Sequence, residues 1–131
     1  MNALVRPLVR FGLVPHTYLL VHRGRSSGRR YSTPVRLVED ARGRFLVAPY
    51  GERGWVGNVR AAGVAELSRG GRTERLRAVE LPAEEAAPVL RDYVRQVPIV
   101  RPFFDPKPDA ADDAWVAEAR THPVFRLVTG S

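Results

Sequence analysis

The stretch Val64-Ala-Glu-Leu-Ser-Arg-Gly-Gly-Arg-Thr-Glu-Arg-Leu-Arg-Ala-Val-Glu-Leu81 decides the fold. Two strand-like runs, Val64 to Arg69 and Arg72 to Leu81, flank Gly70-Gly71. A two-residue hairpin loop needs positive φ at both positions, which glycine adopts without a Cβ clash. Arg69, Arg72, Arg75 and Arg77 alternate with Glu66, Glu74 and Glu80, as the wet face of such a hairpin would. Upstream, Thr17 to Arg23 is β-rich and Gly24 to Gly28 breaks it. Tyr31 to Glu39 resumes with β-branched residues, and Pro34 inside it favours an edge or a bulge. Ala41-Arg-Gly43 is a turn, Arg44 to Tyr50 a third strand, and Val124 to Val128 a last one. About six strands, mostly neighbours in sequence, argue for an α+β, mainly β chain: an antiparallel sheet curled toward a barrel with helices outside.

The helices follow from punctuation. Trp55 to Ala62 reads as a short helix stopped by Gly63, although Gly54 and Gly57 weaken it. Pro82 and first-turn carboxylates open a helix running to about Gln96. Residues 98–108 hold four prolines beside Phe103 and Phe104 and read as a rigid loop. Asp112 or Asp109 is expected to cap a short helix through Trp115 to Arg120. Leu4, Leu8 and Phe11 share a helical face near the N-terminus, ending before Pro15. With Arg6 and Arg10 beside it, that stripe leaves peripheral membrane contact open; packing on its own domain is the plainer reading.

A chain of 131 residues, 44% hydrophobic and 27% charged, fits one domain over 1–131, including the N-terminal helix within 1–15. No apolar run reaches the roughly 18 residues of a membrane span, and no secretory signal is evident, so a cytoplasmic location is expected. The absence of cysteine excludes thiol catalysis, disulfides and thiolate metal sites. His16, His22 and His122 are scattered without ligand spacing, so no metal is expected. The net charge is +7, and Lys107 is the only cation that is not arginine. Arginine forks grip phosphate and carboxylate in pairs of hydrogen bonds, which points to an anionic ligand; a codon bias toward arginine accounts for the count equally well.

Where the arginines cluster is more informative. Arg23-Gly-Arg-Ser-Ser-Gly-Arg-Arg30 places four of them and two serines on a glycine-punctuated turn between strands. Glycines let backbone N–H groups approach a ligand, and Arg25, Arg29 and Arg30 with Ser26 and Ser27 could hold a phosphate. A solvated basic turn explains the same residues. The turn lacks the Gly-Lys-Ser/Thr end of a Walker loop and is no dinucleotide fingerprint.

Three blocks in order resemble the deazaflavin-dependent nitroreductase-like oxidoreductases, split β-barrels that use the 8-hydroxy-5-deazaflavin coenzyme F-420. They are Gly24-Arg25-Ser26-Ser27-Gly28 followed by Pro34, the strand Phe45-Leu-Val-Ala48 with its exit loop, and Trp55-Val-Gly-Asn58-Val-Arg60-Ala61. The resemblance covers about residues 17–80. It implies that Arg25, Ser26, Ser27 and Gly28 hold the coenzyme's phosphate and acidic tail. Ser26 stands where a cation is common in the family, so Arg29 or Arg30 would compensate. Pro34, Ala48, Pro49 and Tyr50 would lie against the ring, and Trp55 and Asn58 would close the pocket. Phe103 or Phe104 would lie over the substrate, a flat apolar hydride acceptor such as a quinone, nitro compound or enone. Tyr50 is the nearest thing to a proton donor. Tyrosines that relatives place near the substrate are not evident around Val97 to Val100.

Two other functions compete. The same barrel could bind FMN, haem or another anionic conjugated cofactor, because fold does not settle the ligand. A sequence pI near 10.9 also suits a nucleic-acid-binding barrel, but aromatic residues do not interleave with the arginines as stacking platforms should, so no nucleic acid is expected. A homodimer is left open, since edge strands of small split barrels are often covered by a twin subunit.

Overall fold

The computed structural model describes residues 15–52 and 54–129. The sequence-predicted N-terminal helix lies outside the described residues. Six strands form a closed antiparallel barrel: β1 (Thr17–Arg23), β2 (Arg30–Asp40), β3 (Gly43–Val47), β4 (Val64–Arg69), β5 (Arg72–Glu80) and β6 (Val124–Thr129), in the order β1-β2-β3-β6-β5-β4. Gly70 and Gly71 take positive φ of 57° and 78°, and the β4–β5 register closes on Arg69 opposite Arg72, a two-residue hairpin as the glycine pair requires. The helices are α1 (Trp55–Ala62), α2 (Ala83–Gln96) and α3 (Asp112–Ala119).

Strand alternation divides the apolar residues into two cores. Leu20, Leu37, Leu46, Leu67, Leu76 and Phe125 fill the barrel interior. Val38, Phe45 and Val47 face outward and meet Ala86, Leu90, Tyr93 and Val94 of α2, with Trp115 of α3. The stripe on α2 recurs at helical spacing, so its burial against the sheet, at about 25 cal/mol per Å² of apolar surface, ties helix to barrel.

One local expectation is met and three are corrected. Pro34 lies on an unpaired edge, the first of the two alternatives its position suggested, and not in a bulge: the β1–β2 register runs unbroken past Leu19↔Pro34. The Leu37 N–H donates to the His16 carbonyl at 2.9 Å, so by alternation the Pro34 backbone turns away from β1. On that side β3 pairs with β2 only from Leu37 to Asp40, so the missing N–H forfeits no ladder bond. The third strand stops at Val47 and not at Tyr50, because the chain turns out of the sheet at Ala48. Residues Pro98–Phe103 form a 3₁₀ helix where a loop was expected; proline at the first position loses no intrahelical bond. Neither Asp109 nor Asp112 caps α3: the cap position is Ala111, and Asp112 and Asp113 occupy the first turn, where carboxylates favour the helix dipole.

The first half of β2 thus has a flank that β3 does not pair, and the chain from Ala48 to Gly54 departs on the other side of the gap. A cavity lies at that split in the barrel wall.

Candidate functional site

The cavity holds about 730 Å³, within the range of about 300–1,000 Å³ typical of small-molecule pockets. His22, Tyr31, Thr33, Pro34 and Arg36 line one side, and Ala48, Pro49, Tyr50 and Trp55 the other. Tyr93, Val97, Ile99 and Val100 close the end beneath α2 and the 3₁₀ helix. No Asp or Glu is among the lining residues. A smaller groove of about 390 Å³, lined by Arg25, Glu52, Gly54, Gly57, Arg60 and Ala61, adjoins it, and Gly54 borders both.

The glycine turn is a closed structure. Gly28 N–H donates to the Gly24 carbonyl at 2.8 Å, Gly24 N–H to the Arg29 carbonyl at 2.8 Å, and Arg29 N–H to Ser27 Oγ at 3.1 Å. Gly28 takes φ 71°, where a side chain would be strained. The turn is latched to α1. Asn58 Oδ1 accepts from the Arg25 backbone N–H at 3.0 Å and from its Nη1 at 3.1 Å. The guanidinium rests on Gly57, where a Cβ would stand 2.6 Å from Nη1. That close approach is why a glycine, costly inside a helix, occupies this position.

The latch continues into the cavity. With Asn58 Oδ1 occupied by two donors, Nδ2 donates to His22 Nδ1 at 3.0 Å. His22 Nδ1 is therefore an acceptor and the ring proton sits on Nε2, which donates to Thr33 Oγ1 at 3.2 Å. Burial lowers the pKa of His22 below its ordinary 6.5, in keeping with the neutral tautomer. Tyr31 stacks on the imidazole with centroids 5.5 Å apart.

Ala48 is pinned from both ends: its N–H donates to the Pro123 carbonyl at 3.0 Å and its carbonyl accepts from His122 Nδ1 at 3.0 Å. His122 Nε2 lies 3.1 Å from Glu118, so this buried pair fixes the cavity wall from behind. At the mouth Tyr50 meets Phe103 edge-on at 4.9 Å, and both are about half exposed. Deep inside, burial pushes the Tyr93 phenol up to about 12, with Tyr50 adding to the rise and Arg36 opposing it.

Of the residues singled out from sequence, Pro34, Ala48, Pro49, Tyr50 and Trp55 come together around the cavity, and Arg25 and Asn58 link it to the basic groove. Ser26 and Gly28 stay on the exposed turn, and Ser27 serves the turn's own hydrogen bonding. Arg30 does not line the cavity; it lines a neighbouring depression with Leu19, Val21, Ser68 and Thr73, and Tyr31 and Ser32 border both. Phe104 is corrected: it is buried, stacked on His122 at 4.1 Å and packed near Trp115, so only Phe103 reaches the mouth. His22, Thr33, Arg36, Arg60 and Tyr93 were not singled out as ligand residues. Arg36 alone carried a signal, a charge inside the apolar run Val35 to Val38. Among the described residues no group of three or more His, Asp or Glu could hold a metal ion.

Residues 6–101 match the family model described as F420H(2)-dependent quinone reductase. Among solved structures, an F420-H2 dependent reductase (FDR-A) superposes with a TM-score of 0.59 at 21% identity, over 86% of this chain and 94% of that one. A domain-swapped dimer gives 0.58 at 21% identity, over 86% and 80%. The heme storage protein HutZ from Vibrio cholerae gives 0.59 at 13% identity, over 92% and 86%. At such identities the likeness is one of fold. No curated protein matches the sequence.

Proposed function

We propose, from the premise that this chain belongs to the F420H(2)-dependent quinone reductase family and is an F-420-dependent oxidoreductase, that the 730 Å³ cavity receives the deazaflavin ring and its acceptor while the adjoining groove holds the coenzyme's acidic tail. When bound, the coenzyme supplies a hydride, so the protein contributes position and polarity. The observation that carries this assignment is the juncture at Gly54 of a carboxylate-free slot with a groove bearing Arg25 and Arg60.

The residues present fit such a ligand. Pro34, Ala48 and Trp55 offer flat apolar walls to a conjugated ring. Arg25, seated on Gly57 and held by Asn58, presents a guanidinium whose position is fixed before any anion arrives, which lowers the ordering cost of binding. Arg60 already bonds Glu80 and Glu52, so it would meet a phosphate only by sharing those carboxylates. Tyr50 and Phe103 flank the entrance, where an apolar quinone would pass and a proton from Tyr50 would be at hand.

Titration of the protein with oxidised F-420, followed by the coenzyme's fluorescence, tests the reading. Saturable binding in the micromolar range is expected, followed by quinone-dependent oxidation of the reduced coenzyme. No binding at tens of micromolar would refute it. A homodimer is a further part of the proposal, supported by the fold shared with a domain-swapped dimer; sedimentation would decide it. Among the described residues no helix is long and apolar enough to cross a membrane.

A further inference from the structure

Arg36 occupies an unusual position for a cation. It projects from the same face of β2 as Pro34 and Val38, lines the cavity, and its Nε is buried with no hydrogen-bond partner. No ion pair or hydrogen bond joins its guanidinium to any described residue, no carboxylate lines the cavity, and residues 1–14 contain no Asp or Glu. The residue is half-buried, its charge is not neutralised by any lining group, and it acts on the phenol of Tyr93 deeper in the cavity, whose pKa it lowers. The fold thus leaves a donor and a positive charge unspent in a slot that holds no carboxylate.

We propose that Arg36 is the anion-binding residue of the cavity: its guanidinium receives a conjugated oxygen that turns negative during two-electron reduction, on the acceptor or on the coenzyme ring. This rests on the assignment of the cavity made above. When a quinone takes up a hydride, a C–H bond of the donor breaks and its electron pair forms the new bond to hydrogen. The donor is oxidised by two electrons, the quinone is reduced by two, and one oxygen carries negative charge until a solvent proton completes the hydroquinone. A guanidinium already standing at the cavity wall before the reaction stabilises that oxygen more than the neutral carbonyl it came from. The same donor would serve a ring carbonyl of the coenzyme, and experiment separates the two sources.

Two variants test this: Arg36→Met, which keeps an unbranched side chain without charge, and Arg36→Lys, which keeps charge without the planar fork. The first probe needs no coenzyme. The yellow 4-nitrophenolate anion, a planar conjugated oxyanion, is titrated against the free protein by difference absorbance. Arg36→Met is expected to bind it at least tenfold more weakly than wild type, with Arg36→Lys between; equal binding, or none by wild type, overturns the proposal. The Arg36→Met protein is also expected to melt within a few degrees of wild type, because the guanidinium makes no hydrogen bond or ion pair that the fold would lose; a drop of several degrees would make Arg36 a structural residue and overturn the proposal. In the loaded enzyme, a tenfold loss of F-420 affinity assigns the oxygen to the coenzyme, and unchanged affinity with a tenfold fall in kcat/KM for a quinone assigns it to the acceptor. Loss of neither overturns the proposal. Failure of wild type to bind F-420 would instead refute the cofactor assignment, a result distinct from any of these.

Discussion

Arg25 and Gly57 act as one unit, and substitution at each should report on it differently. Removing the guanidinium in Arg25→Ala should cost coenzyme binding roughly 1.5–3 kcal/mol, the scale of a lost hydrogen bond to a charged group, as read by fluorescence titration. Gly57→Ala leaves Arg25 in the sequence but puts a Cβ 2.6 Å from its Nη1. The obstructed atom is the end of a flexible side chain, so the guanidinium swings away and the backbone stays. Alanine is also favoured over glycine inside a helix by about 1 kcal/mol. Gly57→Ala should therefore match or exceed wild-type thermal stability while binding the coenzyme several-fold more weakly. Equal affinity would show that Arg25 does its work from another position. The basic turn was legible in sequence because four arginines crowd around two glycines; the partners of Arg25 were not. Asn58 and His22 lie 33 residues downstream and three upstream, and only the antiparallel return of the chain brings them into one hydrogen-bonded row.

Elements defined by strong local chemistry were legible, and those defined by contacts were not. Gly70-Gly71 specifies a turn by itself, and Gly63, with φ 71° and its N–H on the Val59 carbonyl, ends α1 where expected. Whether residues 98–103 coil or wind into a 3₁₀ turn depends on Val100 finding a buried site, which the two prolines of that stretch do not announce. The same winding sends Phe104 into the outer core and leaves Phe103 at the mouth, a distinction that adjacent identical residues cannot carry in sequence. Helix α1 shows why one residue can serve fold and site together. Trp55 is 8% exposed, packs toward Phe125 with centroids 6.1 Å apart, and lines the cavity. Trp55→Ala should cost about 3–5 kcal/mol of stability by denaturant unfolding. It should also weaken coenzyme binding at a temperature where the variant remains folded. Wild-type turnover in a stable Trp55→Ala protein would mean that α1 does not form a wall of the ligand site.

At the scale of the whole molecule, barrel closure depends on three pairings between strands distant in sequence, β1 with β4, β3 with β6 and β5 with β6. Antiparallel hairpins foretold a curled sheet, but no local signal fixes those registers; the inward apolar residues do, since a one-residue slip would turn Leu20, Leu46 and Leu67 to the wrong face. Two half-buried groups with lowered pKa values, His22 and Glu39, make the barrel's stability decline on acidification, the first held neutral by the fold and the second held charged. His22 is neutral in the fold, and its pKa lies below 6.5 because burial disfavours the imidazolium. The unfolded chain therefore binds more protons as pH falls past 6.5, so stability declines from there down through the lower folded value. Protonation also places an N–H on Nδ1 facing the Asn58 amide donor, so the row from Arg25 to Thr33 breaks in the same window. Glu39 comes next. Burial alone would raise its pKa, but hydrogen bonds from His16, Tyr18 and Arg44 outweigh that and hold it below 4.5. Its contribution is intact above 4.5 and is lost as pH falls through the folded value. Melting temperature against pH should accordingly fall in two stages, one beginning near pH 6.5 and one below 4.5. His22→Phe, which keeps a ring for Tyr31 to stack on, should abolish the first stage and leave the second. Persistence of both stages in that variant would assign the upper one to a different group and detach it from the row that links the basic turn to the cavity.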